Sequence, residues 1–204
     1  ARAYGEAVGV YLAFGVDKSS DAWSSIVSWR NSVEASRNTF ARQAIPMVWD
    51  YVEVNPFSSS CRNWSDTSIN LICKAIEAFP LAVKGYARQF DAQSDNGMHD
   101  IAISTDPPYY DNIGYADLSD YFYIWMRQSL KETYPKLFRT MLVPKAEELV
   151  ATPYRFEGSV EKARNFFEDG MFNTCCQLYQ YAREDVPVTI YYAFKQSESD
   201  EDEA

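Results

Sequence analysis

The chain has 204 residues, 47% hydrophobic and 16% aromatic, which is long enough to bury a core and too apolar for a disordered chain. A formal net charge of −10 sets it apart from strongly basic nucleic-acid-binding chains, because phosphate contacts need lysine and arginine. No apolar run is long enough to span a bilayer and no basic-then-apolar leader opens the chain, so it reads as soluble and cytoplasmic, with no membrane partner.

Part of that charge is local. The tail Glu198-Ser199-Asp200-Glu201-Asp202-Glu203 reads as a solvated acidic linker, whereas Arg127, Lys131, Lys136, Arg139 and Lys145 make one segment basic. The bland reading of the latter is a solvated helix face and loop. Cys61, Cys73, Cys175 and Cys176 lack CxxC spacing and read as reduced thiols, so no metal site is expected. A lone histidine, His99, argues against Ser-His or Cys-His hydrolases. The chain starts without Met inside a helical pattern and reads as a piece of a longer protein.

In chain order, residues 3 to 30 place Tyr4, Val8, Tyr11, Leu12, Val16, Trp23, Ile26, Val27 and Trp29 at mostly helical spacing, with Ser20 or Asp21 able to cap the second half. Residues 38 to 57, broken by Pro46 and Pro56, predict a short helix and then an extended stretch. Ile69, Ile72, Cys73, Ile76 and Phe79 follow three-four spacing behind a Ser/Asp cap, which predicts a helix from Ser65 to Phe79 closed by Pro80. Tyr86 to Ala92 reads as a strand and Ser94-Asp95-Asn96-Gly97 as a turn. Ile101 to Thr105 is a short apolar run of the kind buried in a parallel sheet. Ser119 can cap an amphipathic helix carrying Tyr121, Phe122, Ile124, Trp125 and Leu130. A further helix is expected over 159–169, and a strand over Val186 to Phe194. Alternating strands and helices predict an α/β class with a mainly parallel sheet. The expected organisation is a helical and irregular segment over 1–57, an α/β portion over 58–196 and the acidic tail over 197–204.

Ligands of open α/β sheets bind at the carboxyl ends of the strands. Asp106-Pro107-Pro108-Tyr109 stands at such an end. The prolines fix φ, force Asp106 away from helical geometry and remove two competing N–H donors. A carboxylate is thereby held on a stiff ledge close to an aromatic ring. Such a pair suits an exocyclic base amine, whose lone pair is delocalised into the ring. Acceptors for its two N–H bonds favour a pyramidal nitrogen and stabilise the charge that develops there. The tyrosine face can stack on a base swung out of the duplex.

The stretch Ser104-Thr105-Asp106-Pro107-Pro108-Tyr109-Tyr110-Asp111-Asn112-Ile113 resembles the Asp/Asn-Pro-Pro-Tyr motif of N6-adenine and N4-cytosine DNA methyltransferases. Its continuation, Gly114 to Trp125, is similar to a narrower group, the large prokaryotic adenine-specific DNA methylases described as carrying a zinc ribbon. So are Arg42 to Tyr51, Val143 to Leu149 and Tyr192 to Gln196, so the resemblance covers nearly the whole chain. It implies part of a Rossmann-like fold dependent on S-adenosylmethionine (SAM), acting on DNA, most directly at adenine N6, in restriction-modification or a related role. It also implies Asp106, Pro107, Pro108 and Tyr109 as the catalytic loop, Tyr109, Tyr110 and Asn112 on the target base, and Asp91 with Asp106 toward the cofactor. For Asp91, the reading as a strand-end residue capping a turn stands beside the cofactor reading.

The chain departs from that family in two ways. Gly5, Gly9, Gly15, Gly85, Gly97, Gly114, Gly158 and Gly170 are all isolated, so the GxG loop that packs against SAM is absent, and no zinc-ribbon cysteines are present. The missing half would come from an N-terminal portion of the same enzyme or from self-association covering an open sheet edge. An N4-cytosine target, or a non-catalytic nucleic-acid-binding or interaction fragment, are the alternatives. RNA and protein glutamine amides rank below them.

Overall fold

The computed structural model describes residues 1–42, 44–79, 84–110 and 113–192. Asn112, residues 193–194 at the end of the expected last strand, Pro80 and the acidic tail lie outside the described residues. The chain divides into two units, Ala1–Tyr86 with Tyr115–Lys145, and Ala87–Gly114 with Ala146–Ala204. No helix among the described residues is long and apolar enough to cross a membrane.

The first unit is built on helix α1 (Arg2–Trp23). It runs unbroken through Ser20 and Asp21, which therefore cap nothing; the Asp21 backbone carbonyl instead accepts from the Thr39 NH (2.6 Å) and hydroxyl (2.8 Å). The helix stops at Ser24, whose backbone is extended and whose hydroxyl bonds that of Thr39 (2.7 Å). The helical spacing read up to residue 30 thus fails beyond Trp23. A two-stranded antiparallel hairpin follows, β1 (Trp29–Arg30) and β2 (Ala35–Ser36), with Arg30 opposite Ala35.

No helix forms among the described residues of 38–57. Met47, Trp49 and Phe57 are among the most exposed large side chains of the unit, so the segment has no buried apolar face to stabilise a helix. The next helix does form: a wide π-type turn (Ser65–Ile69) leads into α2 (Asn70–Ala78), and Phe79 turns extended, as a residue before proline must. Gly15 lets α1 come close to this segment, since a Cβ there would stand 3.1 Å from the Trp64 ring. The Ser19 and Ser68 hydroxyls bond across the contact (2.6 Å).

Helix α3 (Tyr115–Leu130) packs on α1, and Ala13, Leu130 and Phe138 form a core with Val10, Tyr123 and Met126 against it. It begins four residues before the expected cap at Ser119. Asp117 in its first turn opposes the partial positive charge of the helix start. Two of the five cations of the basic segment have structural tasks. Arg127 donates to the Thr140 carbonyl (2.9 Å), and Lys145 sits on Asp120 (2.7 Å), which also accepts from the Val143 NH.

Residues 84–92, where the first unit passes into the second, are exposed and pair with no strand among the described residues, so the strand expected over Tyr86–Ala92 is not seen there. The turn forms earlier than expected, over 91–94, where the Ser94 NH donates to the Asp91 carbonyl (3.1 Å), and residues 95–97 follow as irregular chain with Gly97 at φ 71°. The Tyr181 hydroxyl accepts from the Asn96 NH and lies 2.9 Å from the Ser94 carbonyl oxygen. Strand β3 (Ser104–Thr105) pairs in parallel with β4 (Thr189–Ile190), and Ile101 forms a parallel bridge to Ala182. The fold is therefore mixed, helices with a few short strands, and its one parallel sheet among the described residues has two strands.

Helix α4 (Val160–Tyr181) precedes β4. Ser159 caps it, accepting from the Lys162 NH (3.2 Å). It runs twelve residues past the expected end at 169, through Gly170, which is a packing position. A Cβ there would collide with Leu149. Ala151, Ala163 and Phe167 form the core of this unit, with Tyr110, Leu149, Phe156 and Met171 against it.

Candidate functional site

The strand leading to the Asp-Pro-Pro-Tyr loop is held along one edge. Ile101 donates to the Tyr181 carbonyl (2.9 Å), and its own carbonyl accepts from Arg183 (3.0 Å). The carbonyls of Ile103 and Thr105 accept from Thr189 (3.0 Å) and Tyr191 (2.8 Å). The last of these bonds fixes the peptide that carries Asp106. Burial alternates along the segment: Ile101, Ile103 and Thr105 are half-buried, while Ala102, Ser104 and Asp106 are exposed. The expected strand covered on both faces is thus covered on one, and the two-residue period delivers Asp106 to the open side.

Beyond Asp106, Pro107, Pro108, Tyr109 and Tyr110 are half-buried. The Tyr109 ring meets Tyr192 edge to face, with centroids 5.4 Å apart, and the Tyr110 ring meets Phe167 of α4 in the same manner at 5.3 Å. Tyr110 is also tied by its backbone. Its NH donates to the Tyr192 hydroxyl (3.3 Å) and its carbonyl accepts from Ala151 (2.7 Å). The loop is therefore pinned at both ends, by the β4 ladder before Asp106 and by Tyr192, Phe167 and Ala151 after Tyr109. Tyr192 is the residue that motif reading passed over as a site member. Its signal was an aromatic pair, Tyr191-Tyr192, closing a strand run beside the motif strand.

Asp91 makes its bonds within its own turn, one oxygen accepting from the Gln93 NH and the other from the Ser94 hydroxyl (both 3.0 Å). This is turn-capping geometry. Both carboxylate oxygens keep spare lone pairs. Asn112 lies outside the described residues. All four cysteines are free, and among the described residues no group of three or more His, Cys, Asp or Glu gathers as a metal site would require.

The arrangement can accept hydrogen bonds from a polar N–H group at Asp106 and offer aromatic surface at Tyr109. Among the described residues no glycine cradle of the kind that the adenosyl cofactor implied by the family resemblance would need is formed, and the glycines with positive φ there, Gly97 and Gly158, stand singly. Comparison with protein-family models, curated proteins and solved structures found no match.

Proposed function

We propose that this chain carries the target-binding and catalytic loop of a SAM-dependent DNA amino-methyltransferase, acting at adenine N6. One observation supports the reading most. Asp106 is exposed at the carboxyl end of a parallel strand, on a di-proline ledge anchored on both sides, with Tyr109 set edge-on against Tyr192. A base extruded from DNA stacks on Tyr109, and its exocyclic amine donates to Asp106. The anchored loop holds that acceptor in place beforehand, so little reorganisation opposes the charge developing on nitrogen. Cytosine N4 presents the same amine chemistry. The wider Rossmann-like sheet, the glycine loop for SAM and the cytoplasmic setting belong to this proposal, with Asp91 a secondary contact to the cofactor.

The test is methyl transfer from radiolabelled SAM to DNA by the chain supplied with the glycine-loop portion of its enzyme, with and without Asp106→Ala. Transfer that survives the substitution defeats the reading. A second reading, a non-catalytic nucleic-acid-binding or interaction module, is favoured by the isolated state of all eight glycines. It expects DNA binding with no transfer under any complementation.

A further inference from the structure

A cleft of about 300 Å³ in the first unit, open to solvent, is lined by Arg30, Arg37 and Arg62 together with Asn38, Phe40 and Ala41, and by no carboxylate. In a chain of net charge −10 this concentration of guanidinium groups is out of keeping with the average surface.

The hairpin sets two of the three side by side. Arg30 is opposite Ala35 in the ladder, and the Arg37 NH donates to the Ser28 carbonyl (2.8 Å). Residues 28 and 30 share one face of β1, and Arg37, paired across from Ser28, falls on that same face, diagonal to Arg30. Like charges so placed repel and destabilise a hairpin. The third arrives from a distant part of the chain. Arg62 has left-handed backbone, φ 58°, and its carbonyl accepts from the Trp23 indole NH (2.8 Å). Its guanidinium donates to the Asn38 side-chain oxygen (3.0 Å), which turns it toward the hairpin. Among the described residues none of the three forms an ion pair. Asp21, behind this wall, has one carboxylate oxygen engaged by the Phe40 NH (3.3 Å).

Three converging planar donors with no acid among them match the oxygens of a phosphate group, which guanidinium binds in forked geometry. We propose that this cleft is a phosphate-binding site, and that the phosphates it takes are those of a nucleic-acid backbone. The argument for a polymer is the open form of the cleft, together with exposed Arg42 five residues along the chain from Arg37. A chain of phosphates can pass through an open cleft, where a single small anion would use one point of it. The inference stands on this cleft alone and does not depend on the role given to Asp106.

The experiment measures anisotropy of a labelled mixed-sequence DNA duplex titrated with the 204-residue chain over a range of low salt concentrations. The double variant Arg30→Gln/Arg37→Gln is compared with Lys131→Gln/Lys136→Gln, which removes equal charge from exposed positions elsewhere. Thermal melts followed by circular dichroism establish that each is folded. The arginine variant is expected to weaken binding about tenfold or more and to lower the salt slope by about two, against a change of less than about threefold for the lysine variant. Equal losses in the two variants, or no duplex binding by the unaltered chain, overturn the proposal. Sodium pyrophosphate titrated calorimetrically separates the sources. Arginine-dependent heat without duplex binding assigns the cleft to free phosphate compounds and overturns the nucleic-acid assignment.

Discussion

The ring of Tyr109 meets that of Tyr192 edge to face, planes at 86° and centroids 5.4 Å apart. The two residues lie 83 positions apart and are brought together by parallel pairing of the strands that precede them. Such a pair contributes about 0.5–1.5 kcal/mol beyond its buried area, enough to fix the Tyr109 ring without locking it. If that ring stacks on an extruded base, Tyr109→Phe should retain most binding and Tyr109→Ala should lose about 1–3 kcal/mol. Fluorescence of 2-aminopurine at the target position reads this directly. Equal behaviour of the two variants would show that the ring does not stack.

Tyr192 has two tasks, a ring contact with Tyr109 and a hydroxyl that accepts from the Tyr110 NH. Tyr192→Phe removes only the second and should cost about 1 kcal/mol or less at this 3.3 Å bond. Tyr192→Ala removes both and should loosen the whole loop. Hydrogen exchange at the Tyr110 amide measures the effect, with faster exchange in both variants and the larger change in the alanine variant. Protection unchanged in both would mean the loop is held without Tyr192.

Asp106→Ala should raise the barrier to methyl transfer by about 3 kcal/mol or more, because a preorganised acceptor is lost where charge develops. Since Asp106 is exposed at a strand end, the substitution should leave the thermal melt unchanged. Isothermal titration with SAM should show no useful affinity for the 204-residue chain in either form, given the absence of a GxG loop. Micromolar binding would place a complete cofactor site within this chain.

The motif and its setting were legible in the sequence because both depend on local chemistry. A short apolar run ending in Asp-Pro-Pro-Tyr predicts a strand end, and Ser104–Thr105 is one. What escaped depended on partners far along the chain. Tyr86–Ala92 has strand-forming residues, but among the described residues no neighbouring strand accepts its hydrogen bonds, so it stays irregular. Trp29 fits the helical spacing of α1, yet Ser24 leaves the helix for a hydroxyl partner at Thr39. The helix expected over 159–169 runs on through Gly170, which is a contact, for Leu149 packs where a side chain would stand. The arginine cleft has no linear signature, since Arg62 joins Arg30 and Arg37 only after folding.

Glycine substitutions in the two long helices should therefore act in opposite directions. Gly5 and Gly9 of α1 have open space where a Cβ would go, so alanine at each should stabilise the helix by about 0.5–1 kcal/mol. Gly170 of α4 is buried against Leu149, and alanine there would force that side chain from its core contacts. Overpacking of this kind costs about 1–3 kcal/mol against a propensity gain of about 1, so the net effect is destabilising. Urea midpoints of the three variants give the signs. A stabilised Gly170→Ala would show that Leu149 moves freely.

Asp17 of α1 gives the chain a pH dependence of its own. Its carboxyl is half-buried, one of its oxygens is buried without a hydrogen-bond partner, and burial pushes its pKa from 3.8 up to about 6. Folding therefore favours the protonated form. Its contribution to stability is complete below about pH 4, where folded and unfolded chains both hold the proton, and it is lost as the pH rises through about 6. The interval between 3.8 and about 6 corresponds to about 3 kcal/mol, and solvent at a half-exposed side chain reduces it to about 1 kcal/mol. Asparagine resembles the protonated acid and has no charge to bury. Asp17→Asn should thus be more stable than the unaltered chain by about 1 kcal/mol at pH 7.5 and roughly equal to it at pH 4. Urea unfolding at the two pH values measures the difference. An advantage for asparagine that persists undiminished at pH 4 would mean the carboxyl is not destabilised by its charge, and that the gain comes from a new amide hydrogen bond instead.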